Sequence, residues 1–292
     1  MPFYPSGKRT LSFELFPPKT TAGETAMYQS IGELMAFQPD VITCTYGAGG
    51  STRDKTLEIT ASVKQQFGVK VASHLTCVGS TQDQLRDYLR DAISRGVENI
   101  VALRGDPPKG ETSFQMCEGG LRYASDLVAL IKADFPELGI AVAGYPETHQ
   151  EAISYADDLA NLKRKVDAGG DAIITQLFYD NADFFRFRDD CDALGITVPI
   201  IPGILPVTNL AQIQRITSLC KAKLPSVFVA KLGEQDDTAW QFQVGVEQAT
   251  VQVQELLHAG VPGIHFYVLN KSQATSEVLR GIGWSRLETS AS

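Results

Sequence analysis

Short runs rich in Val, Ile, Thr, Phe and Tyr recur about every 25–40 residues along this 292-residue chain, separated by longer stretches with helical spacing. A chain that alternates strand and helix in this way cannot pair its strands through tight hairpins. Each strand must cross over through a helix, which gives a parallel sheet. The runs are LSFELFP (11–17), DVITCTYG (40–47), KVASHLTC (70–77), NIVALRGD (99–106), GIAVAGYP (139–146), AIITQLFY (172–179), PIIPGILP (199–206) and GIHFYVLN (263–270), each bounded by Gly, Pro, Asp or Asn. Eight such units fit a (β/α)8 TIM barrel, a fold of roughly 250 residues. An open doubly wound sheet is the main competitor. It usually carries G-x-G-x-x-G after its first strand, and this chain does not. GAGGST (47–52) has neither that spacing nor that of a P-loop.

Helical patterning supports the same reading. Leu85, Tyr88, Leu89, Ala92 and Ile93 fall at i, i+3, i+4, i+7 and i+8, the apolar stripe of an amphipathic helix over 81–95. Helices are also expected over 53–67, 122–135, 149–168, 181–194 and 236–259. Gly68, Gly96, Gly169, Gly195 and Gly260 follow helix candidates, where a left-handed cap favours a residue without Cβ. The seventh strand is the weakest, because Pro202 removes a ladder donor. Residues 221–235 are expected to form an extra short helix in the connection from the seventh strand to the eighth. The domain expectation is one barrel over 1–284 and a frayed tail over 285–292.

Composition removes several function classes. Lys and Arg number 26 against 34 Asp and Glu, a net charge of −8 that disfavours a nucleic-acid or anionic-membrane surface. No stretch approaches the roughly 18 apolar residues of a membrane helix, and the first residues lack a signal-peptide core. Five cysteines, odd in number and never in C-x-x-C spacing, argue against a disulfide framework or structural zinc and make a reduced cytoplasm the default. Four histidines without H-E-x-x-H or H-x-H give no metal motif, so no metal is expected.

Polar residues sit where a barrel places chemistry, at the C-terminal ends of its strands. Alternation puts Ser12, Glu14 and Phe16 on one face of the first strand and Ala72, His74 and Thr76 on one face of the third. Ala102, Arg104 and Asp106 share a face of the fourth, and Ile174, Gln176 and Phe178 a face of the sixth. Tyr145 closes the fifth strand and Tyr267 lies late in the eighth. Each residue alone has a plain structural reading: a paired carboxylate, a satisfied core histidine, an ion pair, a packed tyrosine. Together they would gather costly polar groups into one mouth, which points to an active site. The basic run NLKRKVDAG (161–169) reads either as a solvated face with Lys163 paired to Asp167 or as a phosphate contact through Arg164 and Lys165.

FELFPPKT (13–20), TYGAGGSTRD (45–54), HLTC (74–77), ALRGDPP (102–108), YPETH (145–149), NLKRKVDAG (161–169), ITQLFYD (174–180), IPGILP (201–206) and HFYVLN (265–270) together resemble the bacterial, flavin-dependent 5,10-methylenetetrahydrofolate reductase family. Nine motifs in order make the resemblance specific, and it spans about residues 11–284. It implies a (β/α)8 barrel that binds FAD across its C-terminal mouth, with NAD(P)H reducing the flavin before methylenetetrahydrofolate replaces it. Flavin contacts are implied for Thr45, His74, Arg104, Gly105, Asp106, Tyr123 and Ala124. They are also implied for Ala143, Tyr145, His149, Asp158, Asn161, Arg164 and Lys165. Glu14 matches the general acid and Asp106 the carboxylate that orients the pterin and tunes the flavin. Gln176 matches a folate contact, and Tyr267 lies where the last strand closes the site.

Two departures stand out. The segment 224–237 offers no identifiable aromatic residue for the nicotinamide. Lys271 stands where a relative carries Arg, and suits a glutamate tail or phosphate only as a point charge. A chain of this length leaves no room for the C-terminal regulatory domain of longer eukaryotic members, and homo-oligomers are implied. A buried Glu14 is expected to have its pKa raised by desolvation and so to stay protonated near neutrality. A flavin-free reductase, another FAD barrel such as proline dehydrogenase, and a non-catalytic folate-binding subunit remain as alternatives.

Overall fold

The computed structural model describes residues 2–46, 52–106 and 114–284. Its strands are β1 (Thr10–Leu15), β2 (Val41–Cys44), β3 (Lys70–Thr76), β4 (Asn99–Leu103), β5 (Gly139–Gly144), β6 (Ala172–Thr175), β7 (Ile200–Ile201), β8 (Gly203–Ile204) and β9 (Gly263–Tyr267). All pairings between them are parallel, in the order β7-β6-β5-β4-β3-β2-β1-β9-β8. β7 and β8 are the two halves of the expected seventh strand, broken at Pro202. The first half pairs with β6 and the second with β9, so one interrupted strand closes the ring between its neighbours. Proline, lacking an N–H, cannot serve the ladder at the break. Its carbonyl still accepts a hydrogen bond from the His265 N–H at 3.0 Å. The (β/α)8 barrel expected from the strand count is the fold observed.

Helices α1 (Thr21–Leu34), α2 (Arg53–Phe67), α3 (Gln82–Ser94), α4 (Ala124–Asp134), α5 (Tyr155–Asp167) and α6 (Asn181–Ala193) fill the first six crossovers. α7 (Leu210–Cys220), α8 (Ser226–Leu232) and α9 (Thr238–His258) lie between β8 and β9, and α10 (Gln273–Gly281) follows. The extra short helix expected within 221–235 is α8. The stripe expected on α3 is present: Leu85, Tyr88, Leu89 and Ala92 are buried, and a capping box between Thr81 and Gln84 starts the helix. The five glycines read as caps all have positive φ. The expected tail, 285–292, and most of GAGGST lie outside the described residues.

Two apolar layers result. The outer one packs helices on the sheet and includes Phe13, Ile42, Leu75, Ile100, Val142 and Phe266. The inner one fills the barrel floor with Phe3, Tyr4, Val41, Ala72, Val101, Ala141, Ala172, Ile174 and Ile201. The N-terminal segment therefore plugs the bottom of the barrel and leaves the C-terminal mouth open.

Most strands begin where the sequence pattern places them, and all end one to four residues before the pattern does. β2, β4 and β6 stop at Cys44, Leu103 and Thr175. Thr45, Arg104 and Gln176 therefore stand on the rim. This corrects the face reading of β4: Val101 points into the barrel floor and Ala102 into the outer layer. Arg104 and Asp106 reach the mouth because the chain turns at Gly105, where φ is +90° and an added Cβ would lie 2.6 Å from Val78 Cγ1.

Gly203 is equally constrained. A Cβ there would meet the Thr175 carbonyl oxygen at 2.2 Å and the Tyr267 ring at 2.7 Å. Gly203→Ala is expected to cost about 1–3 kcal/mol, the usual penalty for overpacking a closed core. Urea unfolding measures it, and a loss below about 0.5 kcal/mol would show that the β8 half-strand yields freely.

Candidate active site

β1 lies beside β9, with Ser12 opposite His265 and Glu14 opposite Tyr267. The inward faces of these two strands and of β3 converge on one carboxylate. Glu14 Oε2 is 3.2 Å from His74 Nε2 and 3.5 Å from His265 Nε2. These are ion-pair distances without hydrogen-bond alignment: both nitrogens of His74, and Nε2 of His265, have no hydrogen-bond partner among the described residues. His265 is fully buried and His74 6% exposed, while 19% of the Glu14 side chain reaches the cavity above. Tyr267 stands edge-on to His265, with ring centroids 5.1 Å apart. Its hydroxyl donates to the Thr175 carbonyl at 2.8 Å, which makes it a fixed wall.

This cluster forms the floor of a cavity of about 520 Å³ at the C-terminal mouth. Eleven of the residues singled out from the sequence line it: Glu14, Thr45, His74, Arg104, Gly105, Asp106, Ala143, Tyr145, His149, Gln176 and Tyr267. On one bank Arg104 forms a bidentate pair with Glu151, both contacts at 2.7 Å, and its guanidinium lies 5.1 Å from the Phe114 ring centroid. Asp106 stands exposed just beyond it. On the next bank Tyr145 packs edge-on to His149 at 4.6 Å. The His149 backbone N–H donates to Asp158 Oδ2 at 2.7 Å. Gln176 Oε1 accepts from the Leu177 N–H at 2.9 Å, which leaves its amide N–H groups for the cavity.

The basic run divides. Lys163 pairs with Asp167, as a solvated face requires. Arg164 is exposed and donates to Asn161 Oδ1 at 2.5 Å. Lys165 turns inward: its Nζ donates to the Ala143 carbonyl at 2.5 Å and lies 5.8 Å from the Tyr145 ring centroid. Burial pushes its pKa down to about 8, partly offset by the Asp158 carboxylate. Asp158 and Lys165 thus back the cavity from behind. Asn161, Arg164, Tyr123 and Ala124 do not line it, and Tyr123 is 53% exposed at the start of α4. Lys271 is not brought to the cavity either. Leu269 and Asn270 take left-handed φ of 48° and 57°, and Asn270 pins this turn to Phe16 through N–H and carbonyl contacts of 3.1 and 2.8 Å. Lys271 leaves that turn into solvent.

The expected ionisation of Glu14 is corrected. Burial does push its pKa up, but the adjoining His74 and His265 more than reverse this and hold it at about 2. Glu14 is therefore a carboxylate flanked by two imidazoles in the free protein. His149, by contrast, has its pKa lowered by burial despite nearby Asp158 and Glu151. The resemblance did not single out His265, although it shares the Tyr267 face of its strand and that alternation marks it as inward. Tyr46, just past the end of β2, also lines the cavity and was not singled out from the sequence. Its hydroxyl donates to Thr76 Oγ1 at 3.0 Å, and Arg53 stacks at 5.9 Å from its ring centroid.

A family model described as methylenetetrahydrofolate reductase matches residues 3–283. The chain is 41% identical over 279 residues to 5,10-methylenetetrahydrofolate reductase of Escherichia coli (strain K12), covering 95% of this chain and 92% of that one. It is 41% identical over 288 residues to methylenetetrahydrofolate reductase (NADH) 1 of Zea mays, yet spans only 49% of that relative. The chain thus has about half the length of the plant relatives it matches. Among solved structures, an uncharacterized protein from Clostridium thermocellum that binds two copies of 5-methyl-5,6,7,8-tetrahydrofolic acid aligns with a TM-score of 0.61 at 14% identity, over 94% of this chain and 95% of that one. A dihydropteroate synthase from Coxiella burnetii in complex with pteroic acid aligns at 0.53 and 10% identity, over 94% and 91%. At these identities the likeness is one of fold.

The low pKa of Glu14 has a consequence for stability. The folded protein binds fewer protons at this site than the unfolded chain does. The stabilisation is therefore complete above the ordinary value of 4.5 and fades as pH falls toward about 2. The stability difference between wild type and Glu14→Gln, from urea midpoints at a series of pH values, is expected to shrink across that window. A difference that stays flat there would remove the ion-pair account.

Proposed function

The chain belongs to the methylenetetrahydrofolate reductase family, and on that premise we propose that it converts 5,10-methylenetetrahydrofolate to 5-methyltetrahydrofolate. The proposed reaction uses FAD and draws on NAD(P)H in a ping-pong cycle that supplies methyl groups for methionine formation. The observation that carries this reading is the Glu14 cluster on the floor of the barrel mouth, where a proton can be held beside a substrate.

The residues present fit a flavin dinucleotide. His74 Nδ1, on the side of the ring away from Glu14, is a buried polar atom without a partner among the described residues and calls for a ligand. Arg104 at the cavity wall and Lys165 behind it, on the Ala143 carbonyl, would supply the positive charge a diphosphate needs, and Gly105 would allow close backbone approach. Thr45, His74, Asp106, Ala143, Tyr145 and His149 would hold the ring system and its chain. Tyr123, Ala124, Asn161 and Arg164 offer an outer bank for the nucleotide half, with Asp158 orienting the His149 loop. When bound, the flavin supplies hydride transfer, which protein side chains cannot perform.

The chain's own residues account for the proton and the positioning. The five-membered ring of the folate must open to an iminium before it can accept hydride, and the departing nitrogen needs a proton. Glu14 is the residue we assign to deliver it. Because Glu14 is ionised in the free protein, the proton comes from the shared cluster once the folate covers the floor and excludes water. Gln176 presents amide donors and Asp106 an acceptor to the pterin. Tyr267 limits the depth of the ring, and Lys271 offers a point charge to a glutamate tail outside the cavity. We place the protein in the cytoplasm as a homo-oligomer, with residues 1–284 acting as one barrel domain. In support, among the described residues no helix is long and apolar enough to cross a membrane.

A visible spectrum of the purified protein, followed by anaerobic titration with NADH, NADPH and methylenetetrahydrofolate in turn, tests the reading. A flavin spectrum bleached by a nicotinamide and restored by the folate is the expected result, and a colourless, active protein would overturn it. Glu14→Gln is expected to retain flavin reduction by NAD(P)H while folate reduction falls by about 10²–10⁴, the usual scale for a general acid. Loss of both half-reactions would assign Glu14 to binding instead. Asp106→Asn is expected to raise the flavin midpoint potential by removing a nearby negative charge. An unchanged potential with FAD bound would count against that role.

A further inference from the structure

Behind Glu14, away from the cavity, the structure holds a second polar chain. His265 Nδ1 lies 2.8 Å from Ser12 Oγ, and Ser12 Oγ lies 2.8 Å from the Tyr4 hydroxyl. Ser12 and His265 are fully buried and Tyr4 is 4% exposed. The chain thus runs from the plugged floor of the barrel to the imidazole whose other nitrogen faces Glu14. Three hydroxyl and imidazole groups in an otherwise apolar floor are costly unless their hydrogen bonds are completed.

We propose that Tyr4 and Ser12 are positioning residues that hold His265 as the neutral Nε2–H tautomer and so confine the mobile proton of the site to Glu14 and His74. The argument is one of donor direction. Tyr4 has a single O–H, and among the described residues Ser12 Oγ is its acceptor. Ser12 must then donate its own hydrogen to His265 Nδ1, which is therefore bare, and the ring hydrogen sits on Nε2 facing Glu14. The opposite polarity would run from Nδ1–H through Ser12 to Tyr4 and leave the buried Tyr4 O–H without an acceptor, a costly orphan. An imidazolium at His265 would force that same polarity, so the chain also opposes protonation of His265. The register of β1 and β9 places Ser12 directly opposite His265, and the Tyr267 ring fixes the imidazole plane.

The charged and titratable groups facing His265 are Glu14 from β1, His74 from β3, Tyr4 from the N-terminal segment and Tyr267 from its own strand. Asp40 acts on Tyr4 from beyond. Only His74 among them can share a proton with Glu14 without disturbing the hydroxyl chain. The inference rests on Glu14 acting as the acid of the proposed reaction, but its test does not.

Nitrogen-15 spectra of the histidine side chains in the ligand-free protein report the tautomer directly, with the His265 signals identified by their loss in His265→Gln. The wild type is expected to show a bare Nδ1 and a protonated Nε2 at neutral pH. Tyr4→Phe and Ser12→Ala, each smaller by one oxygen atom, should release this lock. The His265 signals should then show a mixture of tautomers, and folate reduction at neutral pH should slow roughly tenfold with a shifted pH profile, less than the roughly 10²–10⁴ expected for loss of the general acid itself. A wild-type Nδ1–H, or His265 signals unchanged in both variants, would overturn the proposal. If the tautomer behaves as expected and no folate turns over, it is the functional reading that fails.

Discussion

Glu14 Oε2 sits within 3.5 Å of imidazole nitrogens from two other strands, and that contact depends on the barrel being closed. His265 arrives on the strand that pairs with β1 from one side, while His74 comes from β3, across β2. β9 is in turn held by β8, the half-strand beyond Pro202, so the break in the seventh strand is part of how the ring is completed. Loosening that closure would separate a buried carboxylate from the groups that keep it ionised. An uncompensated buried charge is far more costly than a lost surface pair.

The same geometry separates support from chemistry. Below the cluster, the N-terminal segment and the small inward residues Ala72, Ala141 and Ala172 fill the floor. Above it, the strands leave the ladder early and their last residues become a rim of loops. A rim of this kind can present arginine, aspartate and glutamine at different heights, because its backbone is not tied to strand spacing. Arg104, already paired with Glu151, and Lys165, buried on the Ala143 carbonyl, place positive charge on two banks of a protein whose net charge is −8.

Much of this was legible in the sequence, and the limits have physical causes. The fold followed from eight strand–helix units, and most strand starts followed from their turn residues. Strand ends did not, since the buried β-rich pattern continues through Cys77 and Leu177, past the last residues of regular strand pairing. Alternation placed Glu14 inward but could not give its ionisation, which depends on two histidines brought in by long-range pairing. It misread β4, where the turn at Gly105 rather than strand parity carries Arg104 to the mouth. Along α5, Asp158, Leu162 and Lys165 recur at i, i+4 and i+7 and mark the inward face. Arg164 falls on another, yet in the sequence Arg164 and Lys165 read together, because adjacent basic residues alone do not show which one is buried.

The central claim is that Glu14 is a carboxylate in the free protein and gains its proton only when the folate covers the floor. Difference infrared spectroscopy of wild type against Glu14→Gln reads this at the carboxylic C=O stretch. No Glu14 carboxylic band is expected in the free protein at neutral pH, and one is expected on binding a folate analogue. A Glu14 carboxylic band already present in the free protein would contradict the account.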